Sequence, residues 1–283
     1  MATDKRQRQK QGRQERLEAE RASLARTRRN RSIRNAIIFA VVVVIAGVII
    51  SRTSKHGSES LKSDGSTTTT KSPTTIAPTG KKVNAAVCPA TDGTAKRTLS
   101  FTGSLKQCLI TGHSYQAVLT TTLGQVTIAL DTKRTPKTTN AFVALSRWKY
   151  YDGTKLFRTE KQTGIIQGGS PHTQSNADAG PGFTIADEGG TFTSADYGPG
   201  TLAMARTAEP NSANGQFFLL SGEGARYLGD KKQLGASAGT YVVFGKVASG
   251  LDVLKRISSL DAGSGKPPAS KVPVITQVKI SST

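Results

Sequence analysis

The 283-residue sequence predicts a mainly β domain with two short helices, which follows an N-terminal region of different composition. After residue 114, short runs of β-branched and aromatic residues alternate with glycine-containing turns, a pattern typical of antiparallel β structure. Only two segments show the apolar spacing that favours a helix. The composition, 36% hydrophobic with 29 glycines and 11 prolines, excludes a wholly disordered or collagen-like chain.

The first elements of the domain are a predicted hairpin and a predicted helix. Residues 115–119 and 125–130 are β-rich runs on either side of a glycine-containing turn. Thr135 and Pro136 then predict the start of a helix over 136–147, since a hydroxyl suits the N-cap and proline suits the first helical position. Four apolar side chains form one face of this helix: Ala141, Phe142, Leu145 and Trp148.

The second half of the domain predicts further strands and one more helix. Glycines separate several short strand-like pieces between residues 150 and 220. Residues 240–247 predict a strand, 250–258 a short helix and 272–280 a last strand. We assign residues 87–283 to this domain, which is long enough to bury one core.

The N-terminal residues 1–34 are a basic tail with twelve Lys or Arg and four Asp or Glu. They contain almost no large apolar side chain, so they cannot bury a core and are expected to be disordered. The tail has no aromatic residue for base stacking, which makes nucleic acid an unlikely partner. Anionic lipid is a further candidate partner, because clustered basic residues beside a membrane attract it.

An apolar segment follows the tail and predicts a single transmembrane helix over 35–51. Residues 36–50 include no polar side chain, and arginines flank the run on both sides. A cleaved signal peptide is less consistent, because the preceding region is too long and no A-x-A site follows. The basic tail places the N-terminus in the cytoplasm, so the chain is expected to be a single-pass protein of the cell membrane. Residues 52–86, rich in Ser and Thr, are then a flexible linker to an extracytoplasmic domain.

Two cysteines are present, Cys88 and Cys108, and both fall in the predicted outer domain. Outside the cytoplasm a disulfide is permitted, and we expect these two residues to pair. Such a bond would stabilise the fold by about 3 kcal/mol in the chain-entropy model. Two buried free thiols are the alternative.

The chemistry-bearing residues do not match a covalent or metal-dependent site. The sequence contains no G-x-S-x-G, H-E-x-x-H or Walker motif, and its three histidines are expected to be ordinary surface side chains. Arg158, Gln167, Gln216 and Tyr241 instead combine one cation, two neutral amides and an aromatic ring. This set suits binding of an uncharged peptide, and no cofactor or metal is predicted.

At these residues the sequence resembles the cyclophilin family of peptidyl-prolyl isomerases. Six stretches carry the resemblance, in the family's order: YYDGTKLFR (150–158), IIQGGSP (165–171), GPGFTIADE (180–188), GTLAMA (200–205), PNSANGQFF (210–218) and VVFGKVASGLDVLKRI (242–257). The layout is similar to that of the membrane-anchored or secreted cyclophilins of Gram-positive bacteria, especially actinobacteria. The resemblance implies an eight-stranded antiparallel barrel capped by two helices, with the site on the outer wall. Residues 231–239 have the character of an insertion.

The resemblance also implies roles for individual residues. Arg158 would be the catalytic arginine and Gln167 the glutamine that orients it or the substrate. The substrate-binding positions implied are Ile165, Ala205, Arg206, Gln216, Phe218, Leu228 and Tyr241. Ala205 and Arg206 fall where the family's backbone holds the peptide, and the apolar members would hold the proline ring.

Two functions are consistent with the sequence. The first is catalysis of rotation about X–Pro bonds, assisting the folding of exported or surface proteins, because uncatalysed isomerisation takes tens of seconds or longer. The second is a catalytically weak module that binds proline-containing partners at the membrane. The presence of Arg158, Gln167, Gln216 and Phe218 favours the first.

Overall fold

The computed structural model describes residues 82–283. The predicted tail (1–34), the predicted membrane helix (35–51) and the linker as far as residue 81 lie outside the described residues. Within 82–283, no helix has both the length and the apolar character needed to cross a membrane.

The described residues form a mainly antiparallel β structure with few helices, as the sequence predicts. A nine-stranded sheet has the order β5-β11-β3-β4-β10-β8-β9-β7-β6, and a separate pair joins β1 to β2. The strands are β1 Val83–Asn84, β2 Phe101–Thr102, β3 Tyr115–Thr121, β4 Gly124–Leu130, β5 Thr154–Lys155, β6 Arg158–Thr159, β7 Ile165–Gly168, β8 Thr201–Met204, β9 Phe217–Leu220, β10 Val243–Ser249 and β11 Val274–Ser282.

The sheet differs from the expected eight strands at its two edges. The edge strands β5 and β6 are separated only by Leu156 and Phe157, so the sheet curls until its ends are joined by two residues of the chain. Leu156 is fully buried, and this break in pairing divides what would be one strand into two.

Both predicted helices are present. The helices are α1 Pro136–Arg147, α2 Lys231–Leu234 and α3 Leu251–Ser258, so α1 has the predicted bounds and α3 begins one residue later than predicted. The single-turn helix α2 lies in the segment identified as an insertion. Asp230 caps it by accepting a hydrogen bond from the N–H of Lys232 at 2.9 Å.

The hairpin β3–β4 shows why these runs form strands. Its buried positions alternate along both strands, so one face packs against the core and the other faces outwards. The pairing runs from Tyr115 opposite Leu130 to Thr121 opposite Gly124, longer than predicted. Thr121 closes the turn by donating its hydroxyl to the carbonyl of Gly124 at 2.8 Å.

The N-terminus of α1 is capped differently from the prediction. The hydroxyl of Thr135 donates to the carbonyl of Asp131 at 3.1 Å rather than accepting from the helix. The carboxylate of Glu188 instead accepts from the N–H groups of Lys137 (3.2 Å) and Thr138 (2.5 Å). A carboxylate from another segment therefore satisfies the free N–H groups and complements the positive end of the helix dipole.

The N-terminal segment of the described chain packs against α1. Cys88 and Cys108 form a disulfide with their Cα atoms 5.5 Å apart. Asn140 of α1 accepts from the N–H of Cys108 at 2.7 Å and donates to the carbonyl of Lys106 at 2.9 Å. Ala85, which the sequence assigns to the linker, is fully buried, so the packed structure begins before residue 87.

Two apolar clusters occupy opposite faces of the strands β7 to β9. Along β9, Phe217 and Leu219 belong to the main core with α1, whereas Phe218 and Leu220 belong to a second cluster. This alternation follows from the two-residue period of a strand. The second cluster lies on the face turned away from the main core, where the resemblance places the site.

Candidate active site

The candidate site is a row of residues across four neighbouring strands. Arg158 of β6 pairs with Gln167 of β7, Gln167 with Phe218 of β9, and Phe218 with Ala203 of β8. Directly paired residues of antiparallel strands project to the same side of the sheet. The register therefore brings a guanidinium, an amide and an aromatic ring, from residues up to 60 positions apart in the chain, to one surface.

A chain of amide hydrogen bonds holds this row in place. Gln167 accepts from Arg158 Nη1 at 3.0 Å, and its Nε2 donates to Gln216 Oε1 at 3.1 Å and to Asn176 Oδ1 at 3.0 Å. Gln216 in turn donates to the carbonyl of Asn176 at 3.3 Å. Both glutamines are almost fully buried, so these contacts fix their orientation.

The guanidinium of Arg158 is ordered on its other side by Glu160. Glu160 Oε1 accepts from Nε at 2.8 Å and from Nη2 at 2.5 Å, while its Oε2 accepts from Thr163 Oγ1 at 2.7 Å. An arginine side chain has five N–H donors, of which Glu160 binds two and Gln167 binds one. The other two N–H groups make no hydrogen bond within residues 82–283, and the side chain is 36% exposed.

Apolar side chains form the neighbouring surface. Phe218 is 4% exposed and lies in the second cluster with Ile165 and Leu228. The ring of Tyr241 meets that of Phe218 edge-on, with centroids 5.6 Å apart. Tyr241 precedes β10 rather than opening it, and the hydroxyl of Tyr197 donates to its carbonyl at 2.7 Å. The partly exposed ring of Tyr241 therefore lies at the rim of an apolar surface.

Tyr227 packs against the second apolar cluster. Burial raises the pKa of its hydroxyl, the charge of Glu160 raises it further, and the charge of Arg158 opposes the shift. Tyr227 therefore remains neutral around pH 7 and keeps a proton that it can donate.

Ala205 and Arg206 lie beside the row, but their polar groups are partly used within the protein. The N–H of Ala205 donates to the carbonyl of Gln216 at 2.9 Å. The side chain of Arg206, only 8% exposed, pairs with Asp187 at 3.1 Å and donates to the carbonyl of Glu209 at 2.9 Å. The guanidinium of Arg206 therefore braces two loops, which leaves its backbone as the part suited to peptide contact.

Two residues of the site were not singled out from the sequence. Glu160 could have been found, because it is two residues after Arg158 in a run predicted to be extended, where an acid at that spacing can pair with the arginine. Asn176 gave no such signal. It lies in an irregular loop, and only the fold brings its amide to Gln167 and Gln216.

The expectation of a surface histidine at position 172 is wrong. The side chain of His172 is 10% exposed, and its Nδ1 lies 2.9 Å from Oδ1 of the fully buried Asp178. Asp178 also accepts from the N–H groups of His172, Thr173 and Gly180. This cluster fixes the loop that carries Asn176 and so supports the site indirectly.

Comparison with known proteins identifies the family. Residues 116–280 match the family model described as cyclophilin type peptidyl-prolyl cis-trans isomerase/CLD. The chain belongs to this family. The matched range includes the whole row from Arg158 to Phe218, and this cyclophilin is a peptidyl-prolyl cis-trans isomerase.

Similar curated proteins come from several different organisms. The cyclophilin is 35% identical over 150 residues to peptidyl-prolyl cis-trans isomerase cyp18 of Streptomyces antibioticus, covering 52% of this chain and 86% of that protein. It is 32% identical over 172 residues to peptidyl-prolyl cis-trans isomerase A of Dickeya dadantii, covering 59% and 85%. Among solved structures, a Cryptosporidium parvum cyclophilin type isomerase in the presence of the dipeptide Ala-Pro matches with 26% identity and a TM-score of 0.48, covering 59% of this chain and 99% of that one.

Proposed function

We propose that Arg158 is the catalytic group of this isomerase and that the apolar surface around Phe218 holds the substrate proline. The observation that carries the proposal is the pair of Arg158 N–H groups that, after the contacts with Gln167 and Glu160, make no hydrogen bond among residues 82–283. The side chain of Arg158 projects from the same side of the sheet as that of Phe218.

The chemistry follows from the barrier to rotation. Amide resonance gives X–Pro rotation a barrier of about 18–20 kcal/mol. In the twisted transition state the nitrogen becomes pyramidal and recovers its lone pair, which a guanidinium N–H can bind. This contact forms only in the transition state, so it lowers the barrier rather than merely strengthening substrate binding. Ile165, Phe218, Leu228 and Tyr241 would hold the ring while the preceding residue turns.

We further propose that the domain works outside the cytoplasmic membrane, anchored by residues 35–51, on exported or surface proteins. The apolar segment and the basic tail before it support this arrangement. The disulfide between Cys88 and Cys108 is consistent with an oxidising compartment. Contact of the tail with anionic lipid would add to the attachment.

A protease that cannot cross the membrane tests this location. Added to intact cells from which the wall has been removed, it should degrade the 82–283 part of the full chain while a cytoplasmic marker stays intact. Degradation only after lysis would contradict the location. Accelerated refolding of a proline-limited secreted protein by the full chain, but not by its Arg158→Ala variant, would support the folding role.

One observation favours the weak-module alternative and needs its own test. The carboxylate of Glu160 partly neutralises the guanidinium on which catalysis depends. If Glu160 mainly positions Arg158, Glu160→Gln should change kcat/KM by less than about threefold, because the amide oxygen can still accept the hydrogen bonds. Glu160→Ala should lower kcat roughly tenfold or more with KM little changed, since a misplaced group loses its effect.

Both Glu160 variants are measured with a proline-containing peptide, and their melting temperatures check that the fold is retained. An increase of tenfold or more in the Gln variant would mean that the ion pair suppresses catalysis, as the weak-module function requires.

A further inference from the structure

A cleft opens beside Arg158, and Ile165, Phe218, Leu228 and Tyr241 are not among its lining residues. Its volume is about 460 Å³. Residues 174–177 form one wall, residues 264–266 form the other, and the strand between them forms the floor. The lining residues are Phe157, Arg158, Glu160, Gln174, Ser175, Asn176, Ala177, Ser264, Gly265 and Lys266.

The first wall is fixed to β5, which precedes the floor of the cleft in the chain. The side-chain oxygen of Gln174 accepts from the N–H of Lys155 at 2.6 Å. Gln174 has a left-handed backbone, with φ of 55°, and its N–H donates to the carbonyl of Ser170 at 2.9 Å. These contacts hold a strained turn in one conformation.

The second wall is fixed in the same way. The carboxylate of Asp261 accepts from the N–H groups of Lys161 (3.1 Å), Gly263 (2.8 Å) and Gly265 (2.9 Å). The carbonyl of Gly265 accepts from the N–H of Thr159 at 3.0 Å. The cleft is therefore preorganised on both sides, which reduces the ordering cost of binding.

The cleft is continuous with the catalytic row. Arg158 lines the cleft and binds Gln167, and Asn176 lines it while bonding to both Gln167 and Gln216. An extended chain advances about 3.3 Å per residue. A peptide with its proline at Phe218 would therefore reach this cleft within a few residues.

The charge that the cleft presents to a ligand is positive. Glu160 is compensated by Arg158, and its second oxygen is occupied by Thr163. Lys266 is exposed and makes no ion pair among residues 82–283. The amide nitrogen of Asn176, which donates to no group among residues 82–283, supplies an additional hydrogen-bond donor at the cleft.

We propose that this cleft is a specificity subsite that binds an acidic side chain of the substrate, Asp or Glu, within a few residues of the isomerised proline. The proposal rests on the proposed placement of the proline ring at Phe218. Lys266 is the residue that sets the preference for an acidic side chain. Because the walls of the cleft are fixed, this preference depends on the position of the acidic residue in the peptide and is not a general effect of the protein's positive charge.

The test compares matched peptides that carry Glu, Ala or Lys at one position near the proline and are otherwise identical. The varied position is placed in turn before and after the proline. The purified full chain should isomerise the best-placed Glu peptide about three- to tenfold faster in kcat/KM than the matching Lys peptide at low salt. Added salt should reduce this difference. In Lys266→Glu the preference should disappear or reverse while the rate for the Ala peptide is retained.

The control variant is Lys279→Glu, which makes the same charge change on an exposed position of β11 outside the cleft. It should keep the preference for Glu peptides. Equal rates for Glu and Lys peptides at every position, or a preference unchanged in Lys266→Glu, would overturn the subsite and leave isomerisation of the Ala peptide intact. Fluorescence anisotropy of the same labelled peptides gives the binding preference even if turnover is slow, so loss of the proposed catalysis and loss of the subsite remain distinguishable.

Discussion

Replacing Arg158 with alanine should lower kcat/KM for X–Pro isomerisation by about 100- to 1000-fold, the usual cost of removing one preorganised electrostatic donor. The guanidinium is the cation of the row, and Gln167 and Glu160 hold it in one orientation. The effect should fall mainly on kcat, because the contact with the substrate nitrogen forms in the transition state. Exchange between the cis and trans forms of a proline peptide, followed by NMR, measures the rate without a coupled enzyme.

Arg158→Lys is the matched control for charge. Lysine keeps the cation but cannot contact Gln167, Glu160 and the substrate together, because its ammonium lacks the planar fork of donors. Its activity should lie between those of the wild type and Arg158→Ala. Arg158 is partly exposed at an edge strand, so both variants should keep the melting temperature of the wild type within a few degrees. Wild-type activity in folded Arg158→Ala would exclude Arg158 as the catalytic group.

Periodicity predicted the elements whose packing is local. The alternation in 115–119 and 125–130 predicted β3 and β4, and the Thr-Pro pair with its apolar face predicted α1. Boundaries were less accurate where tertiary contacts decide them. The strand predicted over 240–247 is found at Val243–Ser249, because residues before it leave the ladder and cover the second apolar cluster.

The spatial arrangement of the candidate row could be inferred only through the family resemblance. Arg158, Gln167 and Phe218 become neighbours through strand register, which depends on how three strands pair and not on any one segment. Polar contacts between different loops could not be predicted from the sequence. Nothing local in the sequence indicates that Glu188 caps α1 or that Asp178 is buried beneath His172.

The disulfide offers the largest expected change in stability. The segment from residue 82 to residue 113 has only the two short strands β1 and β2, paired over two residues each, so regular structure contributes little to holding it. Replacing both Cys88 and Cys108 with serine should lower the free energy of unfolding by about 3 kcal/mol, because the unfolded chain regains the freedom of a loop of this length. For a domain of this size, that corresponds to a fall in melting temperature of about 6–12 °C.

Chemical reduction distinguishes the effect of losing the disulfide bond from the effect of replacing the two cysteine side chains. Wild-type protein unfolded in the presence of a thiol reductant should show the same loss as the double serine variant, and the reductant should have no further effect on that variant. The candidate row includes no residue between 82 and 113, so kcat/KM at 25 °C should stay within about twofold of the wild type. An unchanged denaturation midpoint in the double variant would mean that the hydrogen bonds of Asn140 to Cys108 and Lys106 are sufficient to hold the segment against α1. If instead the denaturation midpoint falls and hydrogen exchange speeds up first in residues 82–113, the disulfide is the main interaction that holds this segment in place. A domain built in this way would be fully stable only in an oxidising compartment, which is the location that the apolar segment 35–51 predicts.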